Sequence, residues 1–401
     1  MRARPAARHL VGLACLLMCL FGVSPAHAYP WMIKHGFFKC GSCHTDVSGG
    51  ETLTHMGRAE AEQLLSWSPG AAEAPHRYSQ FLFGALPEPD VLRLGGSYRH
   101  MLVYTAADGG APSTTATFPM QADLYGELRA GMFVAGGSIG AARGITGSAN
   151  ARAAQVNREL GEGWLLLSRS HFVGVQLDEQ TLLRAGRLQL PFGLRIPEHV
   201  MWVRDATRTD GESDQQHGLA LAYAKGPFRG EAMVIAGNFQ IYPDRYRERG
   251  YSAYAEYLVT PTGALGLSSL LTFANEDRFT QQKDAVRQVH GLTARLGLSP
   301  QWALLSEADL LKDGNRGWGG AGLVQIDYEV LRGLRLLLTG ELVDSGAAND
   351  GRESTPGNGE PRVGGWVALD FHFYSHFELR LDLVQRQGSP LSAQAQLHFF
   401  L

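Results

Sequence analysis

The sequence predicts an all-β fold: a membrane-spanning antiparallel barrel of about sixteen strands behind a small N-terminal segment of different character. Three observations carry this. From Val91 onward the apolar residues recur at every second position, the period of a strand with two unlike faces. The periodic segments mostly run ten residues or more, as a tilted membrane-crossing strand requires and a soluble sandwich strand of five or six does not. The connections alternate between short turns and long polar loops, as in outer-membrane barrels.

The alternation is clearest near the C-terminus. Leu391, Ala393, Ala395, Leu397, Phe399 and Leu401 fall on one face, and Ser392, Gln394, Gln396 and His398 on the other. Before them, Phe377, Leu379, Leu381 and Leu383 oppose Glu378, Arg380, Asp382 and Arg386. Ala122, Leu124 and Leu128 alternate with Gln121, Asp123, Glu127 and Arg129; Val324, Ile326 and Val330 alternate with Gln325, Asp327 and Glu329. A charged face suits a lumen and an aliphatic face suits lipid. Strands in lipid must close on themselves, because no water is present to satisfy an edge.

Sixteen strands follow, near 91–106, 117–129, 131–143, 164–178, 181–192, 216–226, 228–239, 250–260, 263–275, 285–299, 301–313, 318–331, 333–345, 362–374, 376–387 and 391–401. Short turns lie at Ala130, Asp178-Glu179-Gln180, Gly226-Pro227, Pro261-Thr262 and Pro300. Longer loops lie near 107–116, 144–163, 193–215, 240–249, 276–284 and 346–361. Short turns face the periplasm and long loops the outside. Composition agrees: Gly is abundant at 49, charged residues make up 19%, and 36 Lys+Arg against 39 Asp+Glu point to no nucleic-acid partner.

The N-terminus is organised differently. Arg2, Arg4 and Arg8 precede an apolar stretch from Leu10 to Val23 and the sequence Ala26-His27-Ala28, so residues 1–28 are expected to be a cleaved signal peptide. Residues 29–89 form a separate segment and linker, and 90–401 the barrel. Of four Cys, Cys15 and Cys19 leave with the signal. Cys40-Gly41-Ser42-Cys43-His44 remains. In an exported chain the pair could form a disulfide, but CxxC followed directly by His is the pattern of covalent haem c attachment. Two thiols reach the haem vinyl groups and the adjoining imidazole of His44 supplies the proximal iron ligand. Met32, His35, His55 and Met56, with His76 in the linker, are candidates for the sixth ligand. An amphipathic helix is expected over Arg58–Trp67, stopped by Ser68-Pro69-Gly70.

The expected lumen face carries Asp123, Glu127, Glu307, Asp309, Asp327, Glu329, Glu341, Asp370 and Asp382. They could form a cation path, but pairing with Arg129, Arg335 and Arg380 is the favoured reading. A metal site from His171, His372 and His398 is conceivable on strand position alone. The loop from Asp344 to Gly351 has calcium-loop composition without EF-hand spacing. No HExxH occurs.

Residues 29–66 resemble the outer-membrane monohaem cytochrome–porin fusions, whose best-known members are ferrous iron oxidases. The resemblance rests on Tyr29-Pro30-Trp31, Lys34, Gly36, Cys40 to His44, and Leu53-Thr54-His55-Met56-Gly57-Arg58. Leu190-Pro191-Phe192-Gly193-Leu194-Arg195 also resembles a short phrase of phosphate-selective porins. The resemblance implies a cell outer membrane protein of a Gram-negative bacterium, with its haem segment on the periplasmic side or inside the lumen. It implies one covalent haem c passing electrons between an extracellular donor or acceptor, such as Fe(II), and periplasmic carriers such as soluble cytochromes. Extracellular iron-oxidase activity is within that expectation. Two other readings fit the same features: a solute porin with a structural haem-bearing plug, and a periplasmic cytochrome on a soluble β-domain.

Overall fold

Strands with one aliphatic and one polar face can satisfy both only by curling the polar face inward, and this chain does so. The structure, a computed structural model, describes residues 29–46, 49, 52–67, 80–86, 89, 91–144, 163–196, 198, 201–241, 243–278, 280–314, 316–346 and 359–401. The expected signal peptide, His76, most of the 144–163 loop and residues 347–358 lie outside these.

The barrel strands are β1 (Leu92–Thr105), β2 (Thr114–Ala130), β3 (Phe133–Gly144), β4 (Gly163–Leu167), β5 (His171–Asp178), β6 (Thr181–Leu188), β7 (Gln216–Lys225), β8 (Phe228–Gly237) and β9 (Arg249–Thr260). They continue through β10 (Gly263–Glu276), β11 (Lys283–Gly297), β12 (Trp302–Asp313), β13 (Gly319–Leu331), β14 (Leu334–Asp344), β15 (Arg362–Tyr374), β16 (Phe377–Arg386) and β17 (Ser392–Phe400). Each pairs antiparallel with its sequence neighbours, except that β4 and β5 both pair with β3. They are two halves of one wall position, so the barrel has sixteen staves. Closure is by β1 against β17, from Ser97↔Phe400 to Thr105↔Ser392. Leu124, Val324, Leu381 and Leu397 face outward, while Gln121, Asp123, Gln325, Asp327, Arg380 and His398 are buried inside.

Two expected strands are corrected. The stretch 164–178 is broken at Ser168-Arg169-Ser170, because Arg169 turns inward: its Nε donates to Asp123 Oδ2 (2.7 Å) and its Nη1 to the Glu212 carbonyl. Ser138 Oγ takes up the displaced backbone, accepting from Arg169 N (2.9 Å) and Ser170 N (3.0 Å). The strand expected over 181–192 stops at Leu188. Pro191 has no N–H for a ladder, and Gly193 adopts φ +61° where a Cβ would meet Glu307 Oε1 and Arg204. The chain therefore leaves the wall.

It leaves inward. The loop 193–215, expected to be a polar external loop, folds into the lumen together with Gln189 to Phe192 and carries a short helix, α2 (Trp202–Thr207). Leu190, Phe192, Trp202 and Val203 are buried against Leu311, Leu323, Leu337 and Val343 of the wall. Burying each such side chain contributes roughly 1.5–3 kcal/mol, which explains why several inward positions are aliphatic rather than charged.

The N-terminal segment enters from the opposite, short-turn end. Lys34 Nζ reaches Asp327 Oδ1 (2.7 Å), and Trp67 N donates to His372 O (2.8 Å). Asp46 pairs with Arg184 Nη1 (2.7 Å), and Phe38 O accepts from Arg295 Nη2 (3.1 Å). Trp31 lies 3.3 Å from the Arg335 guanidinium, measured to its ring centroid. The wall makes room with glycine: a Cβ on Gly297 would sit 2.4 Å from Lys34 Cα, and one on Gly333 2.4 Å from Trp67 N.

Candidate functional site

The cysteine motif forms a tight 3₁₀ turn, Cys40–Ser42, with Cys43 N and His44 N both donating to Cys40 O (3.1 and 3.0 Å). The following Leu-Thr-x-x-Gly-Arg phrase is its scaffold. His44 and Leu53 form an antiparallel bridge. Thr54 N donates to Cys43 O (2.7 Å) and Thr54 Oγ1 to Ser42 O (2.8 Å). The same hydroxyl caps helix α1 (His55–Glu60) by accepting from Gly57 N (3.0 Å), the usual role of Thr at an N-cap. Gly57 is needed because a Cβ there would meet Cys43 O at 2.2 Å. Arg58 is buried and ties the helix to the wall through the Leu94 carbonyl. The expected helix over Arg58–Trp67 thus begins three residues earlier, at His55, and runs on as a π-turn over Ala61–Leu65.

Cys40 and Cys43 are both buried and form no disulfide. Arg229 Nη1 lies 2.6 Å from Cys40 Sγ. Cys43 and His44 line a lumenal cavity of about 200 Å³. Three parts of the chain enclose it. The N-terminal segment gives Met32, Cys43, His44 and Leu53. The inserted loop gives Leu190, Phe192, Leu194 and Arg195. The wall gives Arg99, Tyr125, His398 and Phe400.

Of the sixth-ligand candidates, Met32 lines this cavity and is 1% exposed. His35, His55 and Met56 do not line it. His35 turns to Glu329 (3.4 Å), because the wall offers a carboxylate there, and His55 is exposed on the first turn of α1. The cavity also fits a bound acid: Arg195 lines it, and its buried Nη1 has no hydrogen-bond partner among the described residues. The donor set of two thiols, an imidazole and a thioether, beside an unpartnered guanidinium nitrogen, fits a haem c.

Eight of the nine lumenal carboxylates are ion-paired. Arg335 holds Asp327 and Asp370 (to Asp370, 2.8 Å), Arg380 holds Asp382 (2.7 Å), and Arg129 holds Glu127 (2.6 Å). Arg386 takes Glu341 (2.6 Å), Arg169 takes Asp123, and Lys34 takes Glu329 (3.2 Å). Glu307 pairs with Arg204 of the inserted loop, which also anchors Leu194 O. Burial alone would lower the Arg204 guanidinium, but Glu307 beside it holds it above its ordinary value. Partners such as Arg204 and Lys34 come from the inserts, and only Pro191 followed by Gly193 hinted at the loop's departure from the wall. The suggested trio of His171, His372 and His398 is not assembled. His171 pairs with His217 (Nε2 to Nε2, 3.0 Å) on β5 and β7, whereas His372 and His398 stand on β15 and β17.

No protein-family profile matches the chain, and no characterised protein matches it in sequence. Solved structures match its fold. A loop-deleted OmpT of Vibrio cholerae aligns with a TM-score of 0.55 at 13% identity, over 77% of this chain and 99% of that one. An OmpF of Salmonella typhi in complex with daunomycin gives 0.57 at 11%, over 77% and 97%. An anion-selective porin from Comamonas acidovorans gives 0.53 at 13%, over 77% and 99%. The chain has the closed antiparallel β-barrel fold of porins.

Proposed function

We propose that this barrel carries one covalent haem c inside its lumen and passes electrons between an extracellular donor or acceptor and periplasmic carriers. The observation that supports this most is the shared cavity: the attachment motif, the inserted loop and the barrel wall each supply one side of it. Cys40 and Cys43 would hold the group by thioether bonds, His44 would ligate its iron, and Met32 is the candidate opposite ligand. When bound, the group supplies reversible one-electron chemistry at iron. The chain's own residues do the rest. Leu190, Phe192 and Leu194 keep water from one side, Met32 and Leu53 from the other, and Arg195 offers positive charge to an acid substituent.

A solute porin needs an open lumen, whereas here the N-terminal segment and the inserted loop enter it from opposite ends. That favours an electron conduit over a solute path. Extracellular Fe(II) is a donor consistent with the resemblance at residues 29–66. The test is spectroscopic: in intact cells holding the oxidised protein, a membrane-impermeant reductant should reduce the haem. An oxidised spectrum that persists in intact cells and is reduced only after lysis would refute the conduit.

A further inference from the structure

The wall beside the N-terminal segment carries a cluster that the cavity does not use. Asp370 and His372 are two apart on β15 and so share its inward face. Glu378 stands at the second position of β16, across the short turn. The pairing shifts from Phe371↔Leu379 to Tyr374↔Phe377, so His372 and Phe373 together oppose Glu378, a bulge of the kind that re-aims a side chain. One ligand atom from each of Asp370, His372 and Glu378 lies within 4.8 Å of the others, and all three residues are buried.

What distinguishes this cluster from an ordinary polar contact is its unfilled valence. His372 is 2% exposed, and among the described residues neither ring nitrogen has a hydrogen-bond partner; Asp370 Oδ1 is likewise without one. His372 Nδ1 stands 3.4 Å from that same oxygen. The other oxygens are held from outside. Arg335 Nη1 donates to Asp370 Oδ2 (2.8 Å), and His398 Nδ1 lies 2.9 Å from Glu378 Oε2 while its Nε2 is 3.0 Å from Ser97 Oγ. Orienting groups behind a set of ligand atoms are the usual second layer of a metal site.

We propose that Asp370, His372 and Glu378 bind a divalent first-row transition-metal ion. One imidazole nitrogen and two carboxylate oxygens suit Zn(II), Fe(II) or Mn(II), and the lack of a thiolate disfavours Cu(I). Ligand distances of about 2.0–2.2 Å would bring the three atoms within roughly 4 Å of one another, a small contraction of the present arrangement. All ligands come from the barrel wall, so the site stands independently of the haem. Tyr29, whose ring centroid is 6.2 Å from that of His372, covers it and also borders the cavity, as does His398.

Zn(II) is the probe, because it is distinct from any iron the protein carries. The full chain, folded in detergent, is equilibrated with Zn(II), freed of loose metal by gel filtration, and its zinc per polypeptide measured. The wild type should retain one zinc more than His372→Ala. Asp370→Asn should lose it equally, and His398→Gln should weaken binding about 10- to 100-fold. His171→Ala, on the far pair, should change nothing. Heat-dependent gel mobility verifies that each variant is a folded barrel, and Asp370→Asn, nearly isosteric, carries the test should His372→Ala not fold. A wild type that retains no more zinc than folded His372→Ala or Asp370→Asn overturns the proposal.

Discussion

Two inserts share one lumen and are held there differently. The N-terminal segment is fastened by charge and backbone, Lys34 to Asp327, Asp46 to Arg184, Trp31 under Arg335 and Trp67 to His372 O, and by Ile33, Phe38 and Trp31 packed with Ala264 and Leu305 of the wall. The loop 189–215 is fastened by its interior, with Phe192, Trp202 and Val203 packed on aliphatic wall residues, and by Arg204 on Glu307. Removing the first would uncover Ala264, Ala303 and Leu305 of the wall together with the buried charges it pairs. Removing the second would expose the larger apolar surface of Leu311, Leu323, Leu337 and Val343, so the loop belongs more fully to the core of the barrel than the N-terminal segment does.

The largest test of that division is at the thiols. Cys40→Ala or Cys43→Ala should abolish normal haem attachment while the barrel still shows heat-dependent gel mobility. The comparison breaks if a chain lacking both thiols keeps haem through acid acetone.

Next is Arg204→Ala. It leaves Glu307 buried and unpaired, at a cost of about 3–5 kcal/mol. The unfolding temperature should fall and proteolysis within 193–215 should rise, with the covalent haem retained. An unchanged melting curve would mean that the loop is not part of the barrel core.

Gly57→Ala should act on the other insert alone. Its Cβ would press on the Cys43 carbonyl, 2.2 Å away, an overpacking worth about 1–3 kcal/mol. Haem yield should drop while barrel melting stays as in the wild type, and equal loss of both would sink the distinction.

The smallest effect concerns pH. Arg208 of the loop pairs with Asp277 and with Asp313 (2.6 Å). Burial pushes the Asp277 carboxyl up, but Arg208 outweighs it and holds the group well below the usual carboxylate range. Its stabilisation is therefore fully present above the unfolded value of about 3.9 and is lost as pH falls toward the lower folded value. Loop proteolysis should be flat from neutrality to about pH 5 and rise below about 4. Asp277→Asn should remove that acid step; a step of the same size in the variant would assign it elsewhere.

Much of this molecule was written locally. Strand alternation is a period-two property of neighbouring residues, so Leu381 facing out and Arg380 facing in could be read directly, as could the turn chemistry at Gly226-Pro227 and Pro261-Thr262. The CxxCH spacing is equally local, and the scaffold phrase ending at Gly57-Arg58 lies within fifteen residues of it. Long-range choices were not legible. Whether 189–215 turns inward or outward depends on aliphatic wall residues more than a hundred positions away, which alternation assigns only to a polar face. Which of Met32, His35, His55 and Met56 shares a cavity with His44 depends on where Glu329 draws His35 and where the loop closes the lumen. His372 meets Glu378 only through a bulge that the sequence pattern does not mark. The sequence by itself determined which residues face outward from the barrel and where the thiols stand, because neighbours along the chain decide those. Only the tertiary structure decided what fills the lumen, because closure brings together partners that no period along the chain connects.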